Sequence, residues 1–155
     1  MKRVVVILFL SLILFIPITP SVSADDGNVS IVEVYPDTYE DGDAGEYISI
    51  RFNTPTNTTG WTLSDGEDIV KLQQSEVNGT LYVGRNSPLG LQLANSGDEI
   101  VLRNSAGRVV DEMEYGEKLT PSEGEVLVRE DGDNGWTTRH VGASDFEYKV
   151  YNISS

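Results

Sequence analysis

From Val29 onward, apolar residues recur at every second position in short runs, and glycine-bearing turn dipeptides close those runs at roughly even spacing. Period two sends alternate side chains to opposite faces of an extended backbone, so such runs are strands with one buried face and one wet face. The runs span residues 29–35, 46–52, 60–63, 68–72, 80–83, 99–103, 108–115 and 125–129. In the second run, Ile48, Ile50 and Phe52 form the expected core face, and Tyr47, Ser49 and Arg51 the expected wet one. The turns are Asp41-Gly42, Asp65-Gly66, Asn78-Gly79, Ser96-Gly97, Ala106-Gly107 and Glu123-Gly124, dipeptides that tolerate the left-handed backbone a tight turn needs. No stretch after the first twenty-four residues carries helical periodicity. About eight strands in about 110 residues predict an all-β fold, an antiparallel sandwich.

The start of the chain follows a different logic. Met1-Lys2-Arg3 is a short positive region, and residues 4–16 are apolar throughout except for Ser11. Pro17 and Pro20 break that run, and Val22-Ser23-Ala24 puts small residues ahead of Asp25-Asp26. This is the layout of a secretory signal peptide cleaved after Ala24, and it predicts a secreted or cell-surface protein. The competing reading is a membrane anchor retained through residues 4–18, a run shorter than the roughly 20 residues a spanning helix needs. The expected organisation is a signal peptide over 1–24 and a sandwich core over 25–118. Residues 119–155 form an extension that completes strands or leads to a lost domain.

Charge and composition narrow the function. The chain of 155 residues has 25 Asp+Glu against 11 Lys+Arg, a net charge of −14. Loss of the two positive charges of Lys2 and Arg3 takes that from −14 to −16. Such a surface repels polyanions, which excludes direct nucleic-acid binding as an expected role. With no Cys and one His, disulfide frameworks, thiol chemistry and multi-histidine metal cages are excluded. Four Asn-x-Ser/Thr sequons, at Asn28, Asn57, Asn78 and Asn152, exceed the about one or two that composition gives by chance, and they are glycosylation candidates.

Several stretches carry a resemblance in order. Ile31-Val32-Glu33-Val34-Tyr35-Pro36, Gly45-Glu46-Tyr47-Ile48 and Gly60-Trp61-Thr62-Leu63-Ser64-Asp65 resemble the opening strands of the lamin tail domain. Asn95-Ser96-Gly97-Asp98-Glu99-Ile100-Val101-Leu102 and Gly107-Arg108-Val109-Val110-Asp111 continue it, and Tyr115-Gly116 closes it. The resemblance covers residues 29–118 and implies an immunoglobulin-like β-sandwich. It also implies a non-catalytic module of exported or surface proteins, often found beside nucleases or other hydrolases. Its motif and core positions here are Glu33, Pro36, Glu46, Gly60, Trp61, Leu63, Asp65, Gly97, Asp98, Glu99, Asp111 and Gly116.

Residues 37–46, together with Gly135-Trp136-Thr137-Thr138-Arg139-His140 and Ser144-Asp145-Phe146, are similar to archaeal exported proteins that place this module ahead of phospholipase-D-like domains. Those domains depend on His-x-Lys-x4-Asp. Here His140 precedes Val141 and Gly142, so this chain carries the front module without that enzyme motif.

The remaining candidates are weaker. Trp61 suits a packed core, with ligand stacking as its alternative; Trp136, among Asp131, Asp133 and Asn134, suits an exposed partner contact. Glu33 and Glu46 are placed to face each other across a strand pair, where paired carboxylates do acid–base work if their pKa values separate. No nucleophile or phosphate loop accompanies them, so carboxylates bonded to turn amides are the preferred reading. His140 with Ser144 and Asp145 lacks the elbow of a catalytic triad. Two acidic loops, residues 40–46 and 130–135, offer oxygens to a hard cation. Both fail the EF-hand pattern, since position six is Glu46 counted from Asp41 and Trp136 counted from Asp131. Asp131 and Asp133 remain as the candidate cation loop. The expectation is therefore an exported binding or scaffold module that is not an enzyme and has no cofactor. Its partner would be a protein or a cell-envelope component. The alternatives are an accessory domain of a phospholipase-D-like hydrolase and a cell-envelope adhesion module.

Overall fold

In a computed structural model, the described residues are 28–42, 44–84, 90–130 and 135–141. The signal segment with Ala24, the loop aspartates Asp131 and Asp133, Ser144, Asp145 and the sequon at Asn152 lie outside them.

Nine strands make up the described structure: β1 (Val29–Tyr35), β2 (Tyr47–Thr56), β3 (Trp61–Ser64), β4 (Ile69–Leu72), β5 (Val77–Gly84), β6 (Asp98–Arg103), β7 (Val109–Tyr115), β8 (Glu125–Arg129) and β9 (Trp136–His140). They form two antiparallel sheets, one of five strands in the order β5-β2-β1-β8-β9 and one of four in the order β4-β3-β6-β7. The sheets pack face to face as a β-sandwich, because each presents one apolar face that water disfavours. Ile31, Val34, Ile48, Ile50, Phe52, Leu81 and Leu127 from the larger sheet meet Leu63, Val70, Leu72, Ile100, Leu102 and Met113 from the smaller. Full burial of one such side chain contributes about 1.5–3 kcal/mol before entropy is counted.

The larger sheet is not wet on its other side. Tyr47 and Ser49, expected to face water, are buried, and Tyr35, Tyr47, Val126 and Val141 form a second apolar cluster with Tyr82 and Val128 against it. The three tyrosines pack edge to face: Tyr35 and Tyr47 have ring centroids 5.6 Å apart, and Tyr47 and Tyr82 5.7 Å apart. Such contacts favour the positive edge of one ring on the negative face of the next.

Strand β9 was not among the runs read from the sequence, which end at residue 129; it lies in the extension expected to complete strands or lead to a lost domain. Trp136-Thr137-Thr138-Arg139-His140 pairs in register with β8 and forms an edge of the larger sheet. Its side chains alternate only between half-buried and exposed, so it lacks the strong apolar alternation that marks interior strands.

Candidate functional site

The carboxylates picked out by sequence converge on backbone amides. Asp65 follows β3 and is almost wholly buried. Its Oδ1 accepts from the amides of Glu67 (3.1 Å) and Asp68 (2.7 Å), which fixes the β3–β4 turn. Its Oδ2 accepts from the Gln92 amide at 3.3 Å. The next amide, Leu93, donates to Glu46 Oε2 (3.1 Å), and the one after, Ala94, to Asp98 Oδ2 (3.3 Å). Three consecutive amides of a segment without strand partners are thus held by three carboxylates, two of them from distant parts of the chain and the third, Asp98, four residues on. The Tyr115 hydroxyl completes the cradle by donating to the Ala94 carbonyl at 2.7 Å. A strand ladder would normally satisfy these groups; here side chains do it, and Leu91 and Leu93 are thereby seated in the core.

Electrostatics follow from this crowding. Asp98 has a raised pKa chiefly through burial; the Ala94 and Glu99 amides pull it back down, and Asp65 and Glu67 push it further up. The Tyr115 phenol is raised by burial, then by Asp98, Glu46 and Asp65.

Glu33 and Glu46 do not face each other. Glu46 immediately precedes Tyr47, so strand alternation sends these two side chains to opposite sides. Glu46 is turned to the Leu93 amide, whereas Glu33 Oε2 lies 3.4 Å from both the Tyr47 and Ser49 hydroxyls on the outer face. Arg139 of β9 reaches Glu33 Oε1 at 3.4 Å. Burial and then the Glu33 charge hold the Tyr47 phenol far above its ordinary value, and its hydroxyl donates to Glu33.

The other positions fall into place around these. Asp111 of β7 bonds to the Ile31 amide (2.7 Å) and pairs with Arg129 (2.9 Å), linking the two sheets. Gly97 and Gly116 lie back to back at the β6–β7 entrance, where a Cβ on Gly97 would come within 2.7 Å of the Tyr115 carbonyl oxygen. Leu63 and Pro36 are buried, and Glu99 is exposed. Gly60 has φ +81° in the turn before Trp61. Trp61 is half-buried, its ring tilted against Phe52 with centroids 6.1 Å apart. Trp136 is half-buried too, beneath the Arg129 guanidinium at 5.0 Å. His140 is mostly exposed, 3.4 Å from Glu125.

One surface was not singled out by sequence. On the outer face of the smaller sheet, register puts Lys71, Thr62 and Arg103 in one cross-strand row, with Val109 opposite Arg103. The adjacent row is Ile69, Ser64, Val101 and Glu112. Ile69 is 69% exposed and Val109 41%. Two cations and two exposed apolar side chains so share one face with the exposed carboxylates of Glu112 and, one row further, Glu99 and Glu114. The signal in the sequence was the exposed-side parity of Ile69 and Lys71, which is legible only once strand register is known. The chain matches no protein-family model and no curated protein.

Proposed function

We propose that this chain is an exported, non-catalytic binding module of the lamin tail domain type, with an immunoglobulin-like sandwich, that holds a protein or cell-envelope partner. The observation that carries the reading is the row Lys71-Thr62-Arg103 beside Ile69 and Val109. These side chains place exposed apolar area and two cations next to one another at one end of a face whose other end carries Glu99, Glu112 and Glu114, a mixed pattern suited to a polar protein partner. The carboxylates that would serve catalysis are instead engaged with the protein's own amides and hydroxyls, which supports a scaffold reading of those residues. The ordered lamin-tail motifs and the signal-like leader support the family and the export.

The test is a photocrosslinking residue at position 69, introduced into the protein in its own cells. One discrete adduct is expected, and a K71E/R103E background should reduce its yield at least tenfold. Scattered adducts insensitive to those charges, or phosphodiester turnover by the purified protein that is lost in H140A, would overturn the reading.

A further inference from the structure

Three sequons fall at one end of the larger sheet. Asn28 immediately precedes β1, Asn57 immediately follows β2, and Asn78 lies near the start of β5. The register is closer than that. Ser30 and Thr80, the hydroxyl residues of the first and third sequons, both pair with Arg51, one from each side of β2. One step further along, the Asn28 carbonyl accepts from the Asn53 amide at 2.7 Å. Asn78 is the neighbour of Gly79, which pairs with Phe52, and Thr56 pairs with Val77. Asn28 and Asn78 therefore flank β2, about 10 Å apart across two strand spacings.

The acceptor groups are accessible. Asn57 and Asn78 are exposed, as are their hydroxyl residues Thr59 and Thr80, and Asn28 and Ser30 are partly exposed. Between Asn57 and Thr59, Thr58 is buried, with its amide and hydroxyl bonded to the Gln74 carbonyl, so its neighbours turn outward. The Asn57 Oδ1 accepts from the Thr59 amide at 2.8 Å, a local turn on an exposed stretch.

This end also has a need for cover. Strand β5 is an edge of the larger sheet, eight residues long, and Asn78 and Thr80 stand on it. A long edge offers unpaired backbone groups to other chains, and proteins blunt such edges. No residue of β5, VNGTLYVG, brings a charge there.

We propose that Asn28, Asn57 and Asn78 are N-glycosylated and that their glycans form a cap over this end of the larger sheet and the β5 edge. The inference rests on the export reading, since the transferase and its donor work outside the cytoplasm. In each step the side-chain amide nitrogen attacks the anomeric carbon of a polyprenyl-phosphate-linked oligosaccharide. The bond from that carbon to the phosphate oxygen breaks, the lipid phosphate leaves with the electron pair, and the amide nitrogen releases one proton to a base of the transferase. A carbon–nitrogen bond replaces a carbon–oxygen bond, with no change of oxidation state.

The experiment is peptide and intact mass spectrometry of the native protein recovered from its own cells and medium, beside N28Q, N57Q, N78Q and T80S variants. The expected result is a processed chain carrying a glycan at each of the three positions. Each Gln variant should lose one increment, and T80S, which keeps the sequon, should lose none. A processed chain bare at any of the three overturns the cap and leaves the export reading standing. A chain that retains its leader and carries no sugar overturns both.

Discussion

The Asp111 carboxylate of β7 accepts the Ile31 amide of β1 at 2.7 Å, although the two strands belong to different sheets. The reason lies in where pairing stops. Strand β8 pairs with β1 only at Glu33 and Val34, and β1 has a register irregularity between Ile31 and Glu33. The Ile31 amide therefore has no ladder partner on that side, and a carboxylate from the opposite sheet supplies the acceptor. The same carboxylate holds Arg129 at the end of β8, so one side chain closes three strands.

Asp111→Ala would leave the Ile31 amide and the largely buried Arg129 without their acceptor. Loss of a buried charge-assisted bond together with an uncompensated cation costs about 3–5 kcal/mol. Urea unfolding of the processed protein should show a loss of that size. Asp111→Asn, which keeps an acceptor for the amide but not the charge, should lose less. Equal loss in both variants would place the effect on the ion pair alone.

Gly97→Ala should destabilise far more than Gly107→Ala. Both glycines have positive φ, +145° and +77°. The added Cβ at 97 meets backbone on two sides, the Tyr115 carbonyl oxygen at 2.7 Å and the Gly116 Cα at 2.9 Å, whereas at 107 it meets nothing within 4 Å. The second substitution carries only the backbone preference, about 1–2 kcal/mol. The first must in addition push β6 from β7, so a loss of about 3 kcal/mol or more is expected. Denaturant midpoints of the two variants compared with the parent check the difference.

Much of this architecture was open to reading in the sequence. Interior strands such as β2 and β6 announce themselves because Ile48, Ile50 and Phe52, or Ile100 and Leu102, alternate against one core. The outer face of the larger sheet was misread at Tyr47 and Ser49, since alternation says which residues share a face but not whether that face is covered. The place of strand β9 within the extension was not legible, because an edge strand owes its existence to pairing with β8, and Trp136-Thr137-Thr138 carries no apolar pattern of its own. The carboxylates Glu46, Asp65, Asp98 and Asp111 were visible as motif positions, and amide bonding was the preferred reading of Glu46, but the distant amides that Glu46 and Asp111 meet were not. Glu46 meets an amide 47 residues away and Asp111 one 80 residues away, and no local spacing encodes such contacts.

Asp98 gives a pH prediction whose sign is fixed by its surroundings. Burial first, and then the charges of Asp65 and Glu67, raise its folded pKa above the ordinary 3.8, against the pull of the Ala94 and Glu99 amides. A carboxyl that binds its proton more tightly when folded favours the folded state at pH below 3.8. That advantage is lost as pH rises from there through the folded value. Asp98→Asn cannot ionise, yet its side-chain oxygen can still accept from one of the two amides. Stability of the variant relative to the parent should therefore increase as pH is raised from about 3.5 through the folded value and level off beyond it. Urea midpoints of both proteins at half-unit intervals between about pH 3.5 and 7 measure this. A relative stability that falls over that interval would mean that the amide bonds outweigh burial, and that Asp98 is held as a carboxylate by the Ala94 segment instead of tolerated there.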